Sequence, residues 1–212
     1  MLLREEEYSH ATAILSGMEE KTSLFTELEQ WFEETYGLRV YDYFCGLTNA
    51  GRPRLRLLLW DRDCVGKMKK GANPDEWKQR RTAEKFAALC VRYKMHPAYR
   101  RPGDFLVTYD TLRDEIQKRV LRECSGEIKS IEAPDIWRVE ILFDRVHVFF
   151  ETDEQRDRHQ DDNVCGSIRR KLDAIAERHD PFGAFADGVQ CVFTSRQTLD
   201  EKYDGNMFYY TR

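Results

Sequence analysis

Apolar residues recur at helical spacing in two segments near the start of the chain. The first stripe, over residues 5–19, consists of Tyr8, Ala11, Ile14, Leu15 and Met18. The second stripe consists of Leu24, Phe25, Leu28, Trp31 and Phe32. Thr22 and Ser23 precede the second stripe as capping residues, and Gly37 follows it, so the pattern predicts two N-terminal helices.

Strand-like alternation follows over residues 38–61, LRVYDYFCGLTNAGRPRLRLLLWD. Leu55, Leu57 and Leu59 alternate with Arg54 and Arg56, and the segment Asn-Ala-Gly at 49–51 supplies a turn. The pattern predicts a β-hairpin. A helix over QRRTAEKFAALCVRY (79–93) and a short strand over GDFLVTYD (103–110) come next.

The same order of elements then recurs. Helical spacing predicts helices over 111–124 and 165–180, and residues 188–195 form a closing strand. Between the two helices, DIWRVEILFDRVHVFFETD (135–153) predicts a second hairpin. With Asp144-Arg145 as its turn, Phe143 faces Val146, and Arg138 pairs with Glu151.

Set side by side, the two halves align at offsets of about 85 to 92 residues. We interpret the chain as an α+β protein built by tandem duplication of an α-β-β-α-β unit, with two extra N-terminal helices. The element order resembles a pair of ferredoxin-like units, since residues 104–196 give the full β-α-β-β-α-β order. The expected organisation is an N-terminal helix at 1–21, a first unit at 22–110 and a second unit with a C-terminal tail at 104–212.

Charge is strongly segregated along the chain although the net charge is only −4. Residues 51–101 carry 15 Lys and Arg against 5 Asp and Glu, whereas the segments on either side are acidic. No apolar run marks a secretory signal or a membrane span, so we expect a soluble, cytoplasmic protein. Six scattered cysteines without a CxxC pair indicate neither a zinc site nor a redox motif, and most of them are expected in the core.

The loop RYKMHPAYRRPGD (92–104) concentrates part of this positive charge. Its counterpart in the second half, ERHDPFGAFADG (177–188), also has a histidine, a proline and an aromatic residue but is net negative. If the architecture tolerates a net charge of either sign in this loop, the fold does not require the positive charge. Two explanations then remain for the basic loop: a solvated loop, or a contact surface for acidic groups. The predicted partner-binding residues, including three lysines of a neighbouring loop, are Lys67, Lys69, Lys70, Arg92, Lys94, His96, Tyr99, Arg100 and Arg101.

No segment carries a recognisable catalytic motif, and we predict no catalytic residue, no cofactor and no metal. His96 with Tyr99 and Asp104 has the composition of an acid–base set, but a lone loop histidine is more often structural. The acidic stretch 157–163 lacks the glycine and closing glutamate of a calcium-binding EF-hand loop. An acidic loop leading into a helix explains it more simply.

Two binding functions remain after the search for catalytic motifs. The first is a protein-binding module, an inhibitor or a protein similar in general character to immunity proteins that neutralise a toxin by direct binding. The alternative is a single-stranded RNA binder that presents the basic segment and the strand residues Tyr41, Tyr43, Arg54, Arg56 and Trp60 on one sheet face. The negative total charge favours a protein partner.

Overall fold

The computed structural model describes residues 3–211 of an α+β protein with two compact units. The first unit runs to Glu115 and the second begins at Ile116. Each unit contains one mixed three-stranded sheet. Within the described range, no helix combines the length and the apolar character that crossing a bilayer requires.

The first unit is built around a central strand with one antiparallel and one parallel neighbour. Its helices are α1 (Glu5–Leu15), α2 (Ser23–Tyr36), α3 (Arg62–Lys67) and α4 (Glu76–Arg92). Its strands are β1 (Asp42–Leu47), β2 (Pro53–Leu59), the short pair β3 (Lys69–Lys70) and β4 (Asn73–Pro74), and β5 (Leu106–Thr111). The sheet order is β1-β2-β5, and α5 (Leu112–Glu123) starts directly after β5.

The second unit repeats this arrangement of strands. Its strands are β6 (Ile136–Leu142), β7 (Arg145–Phe150) and β8 (Cys191–Ser195), in the order β6-β7-β8. Its helices after α5 are α6 (Ser125–Lys129), α7 (Asp153–Asp161), α8 (Val164–His179), α9 (Arg196–Tyr203) and α10 (Met207–Tyr210). In both sheets the first pair of strands is antiparallel and the second pair is parallel.

Local sequence signals account for the ends of α2 and for the first hairpin. The Thr22 hydroxyl accepts a hydrogen bond from the Phe25 amide at the start of α2, and Gly37 ends the helix at φ +63°, where a side chain would be strained. Gly51, at φ +72°, lies in the turn between β1 and β2. The predicted second helix and first hairpin are therefore confirmed.

The core of the first unit lies on one face of its sheet, under α2 and α4. Tyr43 of β1 contacts Phe25 of α2 and Phe86 of α4, with ring centroids 5.5 and 5.6 Å apart. Leu55 and Leu57 of the central strand are fully buried on the same face. The opposite face is more polar, and α1 covers part of it.

The turn of the second hairpin is shifted from its predicted place. Leu142 pairs with Arg145, so Phe143 and Asp144 form the turn, and Arg138 lies opposite Phe149 instead of Glu151. Phe143 adopts φ +60° and remains 76% exposed. A two-residue turn with positive φ matches the twist of the strands, and this preference outweighs the burial of one aromatic side chain.

The ferredoxin-like order expected over residues 104–196 does not form one sheet. β5 is hydrogen-bonded to β2 in parallel, with Leu57 opposite Tyr109, and it completes the first sheet. The main sheet of each unit therefore has three strands instead of the four of a ferredoxin-like unit. Side chains of β5 on one face are buried in the first core, and this burial selects the pairing.

The registers of the two sheets correspond along most of their length, apart from an irregularity between Ile136 and Arg138 in the second sheet. The row Cys45–Leu55–Val107 in the first sheet matches the row Ile141–Val146–Cys191 in the second. A polar side chain caps the helix that follows each central strand: Asp61 caps α3 and Thr152 caps α7. β2 and β7 thus occupy equivalent central positions.

Candidate functional site

The residues predicted to bind a partner lie near the two ends of helix α4, and Arg92 is its last residue. The helix starts where the Asp75 carboxylate accepts hydrogen bonds from the amides of Trp77 and Lys78, at 3.0 and 3.1 Å. Its buried side, which includes Ala83 and Phe86, packs on the sheet. Seventeen residues make the helix about 25 Å long, at about 1.5 Å per residue.

The three predicted lysines lie at the N-terminal end of α4. Lys67 ends α3, and Lys69 and Lys70 form β3 of a two-strand hairpin. All three side chains are exposed. Met68 between them is fully buried, and its carbonyl accepts a hydrogen bond from the Asp75 amide at 3.0 Å, which anchors this segment to the start of α4.

The basic loop begins at the other end of α4, and its first charge is neutralised. The Arg92 guanidinium forms an ion pair with Glu27 of α2. Lys94 is exposed and adopts φ +55°, where it reverses the chain after the helix. Arg101 is also exposed. Lys94 and Arg101 are therefore the more available cations of the loop.

The remaining predicted loop residues support the loop's own structure. The Arg100 guanidinium donates from Nε and Nη2 to the Met95 carbonyl oxygen, at 2.9 and 2.6 Å. His96 Nδ1 accepts a hydrogen bond from the Ala98 amide at 3.3 Å. The Tyr99 ring stacks against the Phe105 ring, with centroids 6.4 Å apart, and burial raises the pKa of Tyr99. The side chain of Asp104, the third member of the proposed acid–base set, lies outside the described residues.

The predicted residues consequently form two groups rather than one patch. The group of Lys67, Lys69 and Lys70 and the group at 92–101 lie at opposite ends of α4, about 25 Å apart along its axis. Their assignment to partner binding stays a prediction.

A row of exposed residues on α4 joins these groups, and it was not among the predicted site residues. The α4 face, as we call it, consists of Trp77, Arg80, Arg81, Glu84, Ala88 and Val91. Trp77 and Val91 are 52% and 56% exposed, and the Arg81 guanidinium lies 5.1 Å from the Trp77 ring centroid. Spacings of three and four residues place these side chains on one side of the helix. That spacing was readable from the sequence, opposite the apolar positions that identify the helix.

The residues proposed to stack on RNA do not share a face. Tyr43 points into the core against α2 and α4, whereas its neighbours Arg54 and Arg56 lie on the opposite face of the sheet. Arg56 is only 5% exposed and pairs with Glu7 of α1. The predicted stacking platform is therefore wrong as drawn, because strand alternation separates Tyr43 from the arginines.

The acidic stretch 157–163 is helical over much of its length, not the predicted loop. It lies largely in α7, and His159 within it is buried. The His159 ring nitrogens lie 2.8 Å from Asp162 Oδ2 and 2.9 Å from Asp135 Oδ2. Among the described residues, no group of three or more His, Cys, Asp or Glu side chains is placed to hold a metal ion.

The cysteines are free thiols. Cys90, Cys124 and Cys165 are buried, as expected of core residues, and Cys45, Cys64 and Cys191 are partly buried. Burial raises the pKa of the Cys90 thiol to about 12, which opposes formation of the reactive thiolate.

The α4 face combines exposed apolar and cationic side chains on one side of a helix. Comparisons with known proteins add no relative from which a function could be carried over. No protein-family model, curated protein or solved structure was found to match this chain.

Proposed function

We propose that the chain is a protein-binding module that recognises an acidic protein surface through the α4 face and the cations at its two ends. The observation that carries the proposal is the exposed Trp77 beside Arg80 and Arg81 on one side of α4. Tryptophan and arginine are the residues most enriched among those that dominate binding energy at protein interfaces. In this role the protein is an inhibitor or an immunity-type protein that acts by direct binding.

The corresponding helix of the second unit supports this choice by contrast. α8 also has exposed cations, but Arg178 pairs with Glu127 at 2.6 Å and Lys171 donates to the Glu132 carbonyl at 3.0 Å. None of its residues is a large exposed apolar side chain. The combination on α4 is therefore not a requirement of the scaffold.

We also infer that the two units descend from one duplicated α-β-β-α-β unit. The equal strand order, the matching registers and the capped helix after each central strand support this origin. Under duplication, a feature of one unit that is missing from the other reflects a separate function more readily than a folding constraint.

A pull-down from cell lysate with matched variants tests the proposal. Wild-type protein is immobilised and exposed to nuclease-treated lysate, in parallel with Trp77→Ala and Arg81→Glu. Phe143→Ala, an exposed aromatic of the second unit, and Arg170→Glu on α8 serve as controls. We expect a protein with an acidic surface to be captured by wild type and both controls.

Quantitative binding to the captured partner then separates the outcomes. Trp77→Ala should weaken Kd about 30-fold, equivalent to about 2 kcal/mol for a central anchor. Arg81→Glu should reduce the association rate most strongly at low salt. Equal losses in the controls would contradict the proposal. Salt-sensitive binding of wild type to a single-stranded oligonucleotide, lost in Arg81→Glu, would support the RNA alternative instead.

A further inference from the structure

A cavity lined by charged and apolar residues lies on the face of the first sheet opposite α4, beside the N-terminal part of α1. Its volume is about 340 Å³, within the range of small-molecule sites. The lining residues are Arg4, Glu7, Phe44, Cys45, Gly46, Leu47, Arg54 and Arg56. The lining thus includes three arginines and one carboxylate, and a second carboxylate, that of Asp110, lies close to Arg56.

The Glu7 carboxylate is committed to two of these arginines. It accepts from the Arg4 amide at 2.9 Å and from Arg4 Nη2 at 3.0 Å, and it forms an ion pair with Arg56. Arg56 also lies 3.8 Å from Asp110 Oδ2, through its Nε. Burial alone would raise the pKa of Glu7, but these hydrogen bonds outweigh it and lower the pKa, so the carboxylate stays ionised at neutral pH.

Arg54 is the arginine that this network leaves out. Among the described residues its side chain makes a single hydrogen bond, from Nη2 to Thr108 Oγ1, at the long distance of 3.5 Å. Its Nε is buried and has no partner. A buried donor without an acceptor is costly, since it forfeits its bonds to water.

Gly46 keeps the space in front of Arg54 open. It lies inside β1, directly opposite Arg54 of β2, and a Cβ built on it meets nothing within 4 Å. A glycine inside a strand weakens the strand, yet neither crowding nor a positive φ requires a glycine at position 46. The equivalent position of the second sheet, opposite Arg145, is Leu142. The scaffold therefore accepts a large side chain here, and the first unit lacks one.

We propose that this cavity binds a small molecule that carries a carboxylate or phosphate group, with Arg54 as the main contact to the anion. Arginine binds both groups through paired hydrogen bonds, and the planar fork suits either oxyanion. Phe44 and Leu47 provide apolar surface for the body of the ligand. This site is independent of the α4 face, which lies on the other side of the sheet.

Calorimetric titration of the full chain with benzoate, phenyl phosphate and inorganic phosphate tests the site and distinguishes its two anion classes. We expect saturable binding of at least one aromatic probe with Kd below roughly 10 mM. Arg54→Gln should weaken it about tenfold or more, because a charge-assisted hydrogen bond is lost. Arg122→Gln, which changes an exposed arginine outside the cavity, should leave Kd unchanged.

Gly46→Leu provides the second variant, since it fills the cavity with the side chain found at the equivalent position. The thermal midpoint should be equal to or above that of wild type, and binding of the probes should disappear. Three results would overturn the proposal: no saturable binding by any probe, undiminished binding in folded Gly46→Leu, or the same weakening in Arg122→Gln as in Arg54→Gln.

Discussion

The ion pair between Glu7 and Arg56 provides a sharp test of how α1 is held on the first sheet. Both residues are nearly buried, at 6% and 5% exposure. Glu7→Gln keeps the shape of the side chain but removes its charge, so Arg56 is left with Asp110 at 3.8 Å and the face of the Phe44 ring at 5.5 Å. These contacts replace the lost partner only in part.

The expected cost follows from what remains around Arg56. Breaking a buried pair by removing one partner typically costs about 3–5 kcal/mol, because the other charge stays buried without compensation. Asp110 and the Phe44 ring reduce that penalty, so we expect about 3 kcal/mol at pH 7. Glu6→Gln, on the exposed side of the same helical turn, is the matched control and should cost less than about 0.5 kcal/mol.

The pH dependence has a defined sign. The pKa of Glu7 in the folded state is lowered below its usual 4.5. The unfolded chain therefore binds the proton first as the pH falls, and the stabilisation from the ionised carboxylate is complete above pH 4.5 and is lost as the pH falls through the folded-state pKa. The difference between wild type and Glu7→Gln should shrink accordingly at acid pH.

Urea unfolding at several pH values measures both effects. Circular dichroism gives the midpoints, and amide exchange of β2 assigns the transition to the first unit. A Glu7→Gln penalty equal to that of Glu6→Gln at pH 7, or one that grows on acidification, would refute the reasoning. Replacing both partners, with Glu7→Leu and Arg56→Met, should cost less than Glu7→Gln alone because no buried charge of the pair is left unpaired.

Three further predictions concern the core and the basic loop. Phe86→Ala, at a fully buried position, should destabilise the first unit by about 3–5 kcal/mol, and a loss below about 1 kcal/mol in urea unfolding would show that the site collapses around the change. The Cys90 thiol, with its pKa raised to about 12, should resist a thiol-specific reagent at pH 8 until the protein unfolds; mass spectrometry showing rapid native labelling of Cys90 would contradict this. Arg100→Gln should cost about 1 kcal/mol through loss of its bonds to the Met95 carbonyl, whereas Arg101→Gln should cost less than about 0.5 kcal/mol, and equal thermal midpoints for the two variants would count against a structural role for Arg100.

Periodicity and caps made the long helices and the main strands predictable, but the short helices α3, α6, α7, α9 and α10 were not predicted. Nor did these signals determine the partner of every strand. The α2 stripe, with Thr22 before it and Gly37 after it, specified that helix almost completely. β5 was readable as a strand too, yet its alternation suits either sheet equally well. Its parallel pairing with β2 is selected by burial of Val107 and Tyr109 in the first core, which is a long-range effect.

For the candidate site, too, local sequence predicted some features, while others depend on residues far away in the chain. The excess of positive charge was visible in the composition, but its availability depends on partners far away in the chain. Glu27 lies 65 residues before Arg92, and only the folded unit shows that the two are paired. Trp77 lies before the predicted helix of 79–93 but in the first turn of α4, and its exposure depends on which side of α4 the sheet covers.

Comparison of the two sheets separates what the scaffold requires from what it merely permits. Equivalent positions of the central strands hold Arg56 in the first unit and His147 in the second, and each side chain is held from a different helix: Arg56 by Glu7 of α1, and His147 by the Tyr210 hydroxyl of α10, at 2.8 Å. Burial lowers the pKa of His147, which favours a neutral ring where the first unit keeps a buried cation. The strand register is compatible with both solutions. Arg56 is therefore not dictated by the fold. Arg54 has an arginine, Arg145, at the equivalent position, and the first unit differs there in the open Gly46, for which a bound anion gives a physical reason.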